Sequence, residues 1–199
     1  MLTHQGTQRL ETRRLILRPF VMEDAQAMYN NWASDPEVTR YLTWPTHPSV
    51  LTTRLVLKDW LGRYEQKDYY QWAIILKDHG DEPIGSISVV GIQDSLGMAH
   101  VGYCIGRPWW HQGITSEAFR AVIRFLFLKV GCRRIEARHD PRNAHSGAVM
   151  RKCGLHYEGT LRHADRNNQG ICDVSFYGLL RDEWVDNPDT AVYNTQENG

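Results

Sequence analysis

The chain has 199 residues, enough for one globular domain with a sizeable core, and 23 basic residues balance 23 acidic ones. That balance gives no global drive toward nucleic acid or an anionic membrane surface. No apolar stretch approaches the ~20 residues of a membrane span.

Met1 to Arg9 is polar and has no apolar core, so it is expected to be a flexible lead-in and not a secretory signal. Leu15 to Arg18 predicts a short strand. Glu23 to Ser34 predicts a helix with Ala25, Met28, Tyr29 and Trp32 on one side. The stretch 35–48, rich in Trp, Tyr and Pro, reads as a loop, and Val50 to Tyr64 as a second helix. Tyr70 to Leu76 and Ile84 to Val90 are strands separated by the turn Asp78-His79-Gly80-Asp81. Met98 to Ile105 alternates as a central strand. Ile114 to Val130 is the longest helix, with Ile114, Ala118, Ala121, Phe125 and Leu128 at helical period. Arg134 to His139 is a strand, Asn143 to Cys153 a helix, and Leu155 to Arg162 and Gly170 to Leu180 the last strands. The segment 183–199 is polar and is expected to be a tail that frays. No internal repeat or linker is visible, so one α/β domain over residues 10–182 is expected.

Two segments carry chemistry. Arg107-Pro108-Trp109-Trp110-His111-Gln112-Gly113-Ile114-Thr115-Ser116-Glu117-Ala118 joins the central strand to the longest helix. A helix start leaves backbone N–H groups unpaired and carries partial positive charge. Gly113 has no Cβ, so an anion has close access to the backbone, and the turn is a candidate pyrophosphate cradle. It is neither a Walker A loop nor a dinucleotide fingerprint: no Lys-Ser or Lys-Thr pair follows Gly113, and only one glycine lies in the turn. The adjacent Trp109 and Trp110 cannot both point the same way; one is expected in the core and the other at the cofactor or an entrance. Glu117 is expected to pair with Arg120. In the second segment, Asn143 is a good N-cap, Gly154 a good C′ residue and Leu155 the matching Schellman contact. Ser146 lies in the first turn of that helix, with its hydroxyl free to face a ligand.

The order strand, W-x-x-G-x-x-S-E-A helix, strand, N-x-x-S-x-x-V-x-x-K-x-G helix, strand resembles the GCN5-related N-acetyltransferases (GNAT). Within them it is most similar to the RimJ/RimL type, which acetylates the N-terminal amines of ribosomal proteins. Leu10-Glu11-Thr12-Arg13-Arg14-Leu15-Ile16-Leu17-Arg18-Pro19-Phe20 and Asp173-Val174-Ser175-Phe176-Tyr177-Gly178-Leu179-Leu180 also look typical of that branch. The resemblance spans about residues 10 to 182. It implies a single-domain GNAT (acyl-CoA N-acyltransferase) fold, an α/β architecture with a mixed, mostly antiparallel sheet flanked by helices and a splayed central strand.

The same resemblance implies acetyl-CoA as cosubstrate and an amine as acceptor, most of all a protein N-terminus. Alternatives are a small amine, such as a polyamine or an aminoglycoside, and a non-catalytic acyl-CoA-binding sensor. The residues it implies for the cofactor are Cys104, Ile105, Trp110, Gln112, Gly113, Ile114, Thr115, Ser116, Asn143 and Ser146. Backbone amides near Tyr103, Cys104 and Ile105 would bind the pantetheine arm, and one would stabilise the oxyanion. Ser146, His100 and Tyr103 are the catalytic candidates, Ser146 as proton donor to the leaving thiolate. The basic residues Arg133, Arg134, Arg138, Arg142, Arg151 and Lys152 are a candidate dock for the CoA 3′-phosphate. The loop Tyr41 to Pro48 and the second helix would line the acceptor side.

The chain departs from the family pattern in places. Trp110, Gln112 and Thr115 replace commoner residues of the turn. Met150 stands where many members carry a general-acid Tyr. His100 stands where this branch often has Glu; it is either a core residue or a base able to take a proton near neutral pH. Cys104, Cys132, Cys153 and Cys172 are widely spaced, with no C-x-x-C, and read as reduced thiols of a cytoplasmic protein. No metal site, nucleic-acid partner or membrane partner is expected. A monomer and a homodimer are both compatible with the sequence.

Overall fold

In the computed structural model, which describes residues 1–186, the alternating apolar runs become strands β1 (Leu10–Glu11), β2 (Leu15–Arg18), β3 (Gln71–Leu76), β4 (Pro83–Gln93), β5 (Met98–Ile105), β6 (Arg134–His139), β7 (His156–Asn167) and β8 (Gly170–Leu180). They form one sheet in the order β1-β2-β3-β4-β5-β6-β8-β7. Only β5 and β6 are parallel. The helices are α1 (Ala25–Met28), continued by a π turn Tyr29–Ala33, then α2 (Pro36–Thr39), α3 (Val50–Arg63), α4 (Ile114–Phe125), continued by a π turn Leu126–Val130, and α5 (Ala144–Lys152). β1 and α2 have two and four residues, too few to show a period.

Each face of the sheet carries a core. On one side Ala99, Val101 and Ile105 of β5 pack with Ile114, Ala118, Phe119 and Val122 of α4. On the other, Phe20, Met28, Trp32 and Leu57 cover Ala73 and Ile75 of β3, and Cys104 of β5 packs against them. Side chains alternate across a pleat, so β5 presents Tyr103 to the first face and His100, Gly102 and Cys104 to the second.

The apolar stripe of α4 is buried at Ile114, Ala118, Ala121 and Phe125, but Leu128 is exposed. The π turn adds a residue to the turn and rotates the stripe, so Phe127 and Val130 go inward instead.

The polar lead-in expected to be flexible lies against the sheet. Leu2 is buried, Thr3 N donates to Val130 O at 2.8 Å, Thr7 Oγ1 to Tyr69 O at 2.9 Å, and Trp72 Nε1 to Gln8 O at 2.6 Å. Its polar residues satisfy strand-end groups that composition does not reveal. At the other end Trp184 packs on Phe127, with ring centroids 5.4 Å apart, so residues 183–186 belong to the folded unit. The rest of the predicted tail lies outside the described residues.

Glu117 does not pair with Arg120. It reaches across to the β1–β2 turn, where Oε1 accepts from Thr12 Oγ1 at 2.6 Å and Arg14 N at 3.0 Å, and Oε2 from Arg14 Nε at 2.7 Å. Burial works to raise the Glu117 pKa, but these three donors outweigh it and hold the carboxyl below its ordinary value. The depressed value makes the linkage stabilising above the unfolded pKa, near 4.3, and that stability is lost as pH falls below it. Replacing Glu117 with Ala is expected to cost about 2–3 kcal/mol in urea unfolding at pH 7. The difference from the parent should shrink when unfolding is repeated at pH 3.

Candidate acyl-transfer site

β5 and β6 pair only through Met98–Arg134, Ala99–Ile135 and His100–Glu136. β5 stays paired with β4 as far as Ile105, and β6 with β8 as far as His139. Beyond His100 the two parallel strands therefore diverge, and each turns a backbone edge toward the gap. Their facing N–H and C=O groups have lost the ladder partner and want a polar guest. A bulge between Val89 and Gly91 of β4 accompanies the divergence. It places Val90 over Gly102, where an added Cβ would come within 3.2 Å of the valine.

Gly106 N donates to Ile84 O of β4. A trans peptide then sends the Ile105 carbonyl the opposite way, and it accepts from Trp110 Nε1 at 2.8 Å. Alternation along the strand turns the amides of Ile105 and Tyr103 to the gap. The Cys104 amide faces β4, so of the three amides proposed for the pantetheine arm it is the one already committed to the sheet.

The turn after β5 leads into α4 through Gly113 at φ +73°, and no side chain caps the helix. A Cβ at Gly113 would meet only Arg14 Nη2, at 3.7 Å. Ile114, Thr115 and Ser116 begin the helix and, with Gly113 and Trp110, line a cavity of about 290 Å³. Arg14 Nη1 holds the Gln112 carbonyl at 3.1 Å from behind. The Gln112 side chain folds back to Pro108 O at 2.8 Å and does not line this cavity, which leaves its backbone as the part expected to face the cofactor. Trp109 is buried in the core, while Trp110 is half-buried on the cavity wall. Both therefore touch the cavity, from different depths.

α5 forms the opposite wall. Asn143 caps it, its side chain accepting from Ser146 N, and the helix ends in a Schellman motif with Leu155 N on Met150 O and Gly154 N on Arg151 O. Ser146 faces the gap. Its Oγ donates to the Tyr103 hydroxyl at 3.3 Å, and that hydroxyl donates to Ser146 O at 3.0 Å. Burial pushes the Tyr103 pKa far above the ordinary value, so the hydroxyl keeps its proton throughout the physiological range.

Behind the gap lies a second cavity of about 520 Å³ on the other face of the sheet. Leu42, Tyr103, Cys104, Asn143 and Ser146 line both cavities, which therefore meet between β5 and α5. Tyr41, Thr43 and Trp44 of the 35–48 loop and Trp60 of α3 line the second one. Asn168, in the β7–β8 turn, clamps that loop. Its side chain donates to Thr39 O and Trp44 O at 2.8 Å each, and its amide to Leu42 O at 3.2 Å. Asn168 leaves no local sequence signal, because its clamp joins residues 124 or more apart.

His100 lines the second cavity but does not titrate near neutrality. Burial, aided by the Arg138 charge, lowers its pKa to about 4, so the imidazole is neutral and a weak base. Cys104 sits where the cavities meet, with its thiol pushed up to about 11 by burial and hence un-ionised at neutral pH. The basic cluster is largely spent on ion pairs: Arg134 with Glu158, Arg138 with Asp165, and Arg142 with Asp140. Of the six residues only Lys152 lines the first cavity. Among the described residues no group of three or more His, Cys, Asp or Glu is placed to hold a metal ion.

A family model described as an acetyltransferase (GNAT) domain matches residues 14–156. The chain belongs to the GNAT acetyltransferase family. It is 32% identical to the N-acetyltransferase p20 of Bacillus licheniformis over 176 residues, covering 88% of this chain and 98% of the relative. It is 24% identical to the [ribosomal protein uS5]-alanine N-acetyltransferase of Escherichia coli, covering 92% of this chain and 90% of the relative. Its fold is similar to that of a solved ribosomal L7/L12 alpha-N-protein acetyltransferase in complex with coenzyme A, with a TM-score of 0.77, 21% identity, and coverage of 87% and 98%. Family membership carries acetyl-CoA as donor and an amine as acceptor. The open Gly113 turn, the uncapped helix start and the unpaired β5 edge fit a diphosphate followed by an extended amide-bearing arm.

Gly113→Asp puts a side chain at a left-handed position and a negative charge in the cradle. Calorimetry on the folded variant is expected to show CoA affinity reduced at least tenfold. Tyr103→Phe and Ser146→Ala each remove one hydroxyl of the pair beside the gap. Each should lower kcat by about 10²-fold while changing CoA affinity less than threefold. Stopped-flow turnover with parallel calorimetry separates the two quantities.

Proposed function

We propose that the protein moves acetyl from acetyl-CoA to the α-amine of a peptide or protein N-terminus by direct attack in a ternary complex. Acetyl-CoA supplies an activated thioester when bound. The chain's own groups divide the remaining work. The turn Gly113 to Ser116 receives the diphosphate, with Trp110 and Asn143 along the wall. The amides of Ile105 and Tyr103 support the pantetheine arm and the developing oxyanion, with Cys104 beside them. The Tyr103 and Ser146 hydroxyls donate a proton toward the departing sulfur. His100 walls the acceptor cavity in its neutral form.

The observation that carries the α-amine assignment is the lack of a strong base in the acceptor cavity. Its described carboxylates are engaged. Burial works to raise Asp140, but hydrogen bonds from Arg142 and Asn167 hold it at about 2. Asp165 pairs with Arg138, and Asp173 accepts from His163 N. His100, at about 4, retains almost no proton at pH 7. An α-amine, with pKa about 7.7–8.0, is neutral in roughly a tenth of molecules at pH 7, whereas a lysine-type amine near 10.4 is neutral in about one in 2,500. A site without a strong base therefore works on the first and neglects the second. The full-length resemblance to the uS5-alanine enzyme supports the same choice.

Thiol release from acetyl-CoA is expected with short peptides bearing a free N-terminus. It should fall at least tenfold when the N-terminus is blocked and only a lysine side chain remains. The log of kcat/KM should rise with pH and level off near the pKa of the acceptor's own ammonium group. His100→Gln should leave that midpoint in place. A midpoint that moves with His100, or a preference for lysine or polyamine acceptors, contradicts the proposal.

A further inference from the structure

The acceptor cavity is lined by a carboxamide that makes no hydrogen bond among the described residues. Gln71 of β3 is 6% exposed and lines the cavity. Its backbone is satisfied, N donating to Thr7 Oγ1 and O accepting from Tyr64 Oη, but its side-chain amide has no hydrogen bond among the described residues. Its side chain faces the cavity with both its donor and its acceptor uncommitted to the protein. Such a group points to a guest.

The sheet register shows where the guest would lie. Gln71 stands opposite Ser88 of β4, and Ser88 opposite Gly102 of β5. All three residues line the cavity. The Ser88 hydroxyl likewise has no hydrogen bond among the described residues. A neutral polar row thus runs across three strands and ends at the central strand, beside the gap. It spans two inter-strand spacings, about 10 Å, which an extended chain covers in about three residues. The cavity's described carboxylates, Asp140, Asp165 and Asp173, lie away from this row, on β6–β8 and the turn after β6.

We infer that Gln71, with Ser88, recognises a backbone amide within the first three residues of an extended peptide acceptor. A carboxamide offers one acceptor oxygen and an NH₂ donor, the complement of a peptide N–H and C=O. A polyamine would require a carboxylate at this place. The inference rests on the α-amine assignment and narrows it. The substrate is a peptide whose main chain is read, and Gln71 is a specificity residue, not a catalytic one.

The test compares two acceptors on the full chain: tetra-alanine amide, and a straight-chain 2,2-difluoroalkylamine of the same length, whose fluorines bring its ammonium close to the α-amine range and which has no internal amide. Gln71→Leu is expected to lower kcat/KM for the peptide about tenfold or more, chiefly through KM, and for the alkylamine less than twofold. Calorimetry should show weaker binding of tetra-alanine amide to the CoA-loaded variant, with the melting temperature unchanged or raised. Equal losses on both acceptors, or none on the peptide, overturn the inference while leaving the α-amine assignment intact. If the parent enzyme turns over no peptide amine, that assignment fails and the inference falls with it. Should Gln71→Leu not fold, Ser88→Ala must show the same peptide-selective loss, and its absence counts against the inference in the same way.

Discussion

The early end of the β5–β6 ladder is the constraint from which the site follows. A parallel pair that stopped at its natural ends would bury its backbone groups in each other. Here pairing covers only three residues of each strand, and the remaining edges diverge. The candidate site gathers along that divergence: the Gly113 turn at one end, the hydroxyl pair of Tyr103 and Ser146 beside it, and the polar row of Gln71 and Ser88 behind it. The opening needs support from both sides. The β4 bulge bends one partner away, and α5 keeps the strands apart with a helix fixed at both ends by its own caps.

The Gly113 turn depends on interactions remote in sequence. Arg14 bridges the Gln112 carbonyl and the Glu117 carboxylate, so the second strand of the sheet sets the pitch of the loop that starts α4. The resemblance flagged the first strand region and the turn as separate family features. The structure makes them one device: the Thr-x-Arg stretch around β2 exists to hold the Ser-Glu-Ala start of the helix.

The sequence was most legible where a local rule sufficed. Gly113 in a left-handed turn, Asn143 as cap and Gly154–Leu155 as helix stop all follow from backbone geometry, and the structure has each in place. The order of strands and long helices followed from periodicity in the same way. What escaped was set by tertiary packing. Leu128 turned outward because a π turn shifted the helical stripe. The Gln112 side chain folded back because it found the Pro108 carbonyl. His100 lost its basicity to burial that no one-dimensional pattern encodes. Gln71 and Ser88 did leave a trace, as polar residues in otherwise apolar strands. Their meaning appears only once the register aligns Gln71 and Ser88 into one row.

The two cavities open on opposite faces of the sheet and touch only at the gap. The two cavities share lining residues where they meet, so whatever fills one borders whatever fills the other. The strap carrying Leu42, pinned by Asn168, borders both chambers, as β5 and the start of α5 also do. Its position couples the width of the donor channel to that of the acceptor channel. A substitution at the far tip of the β7–β8 hairpin, well away from any reacting atom, would thus retune the traffic of both substrates together.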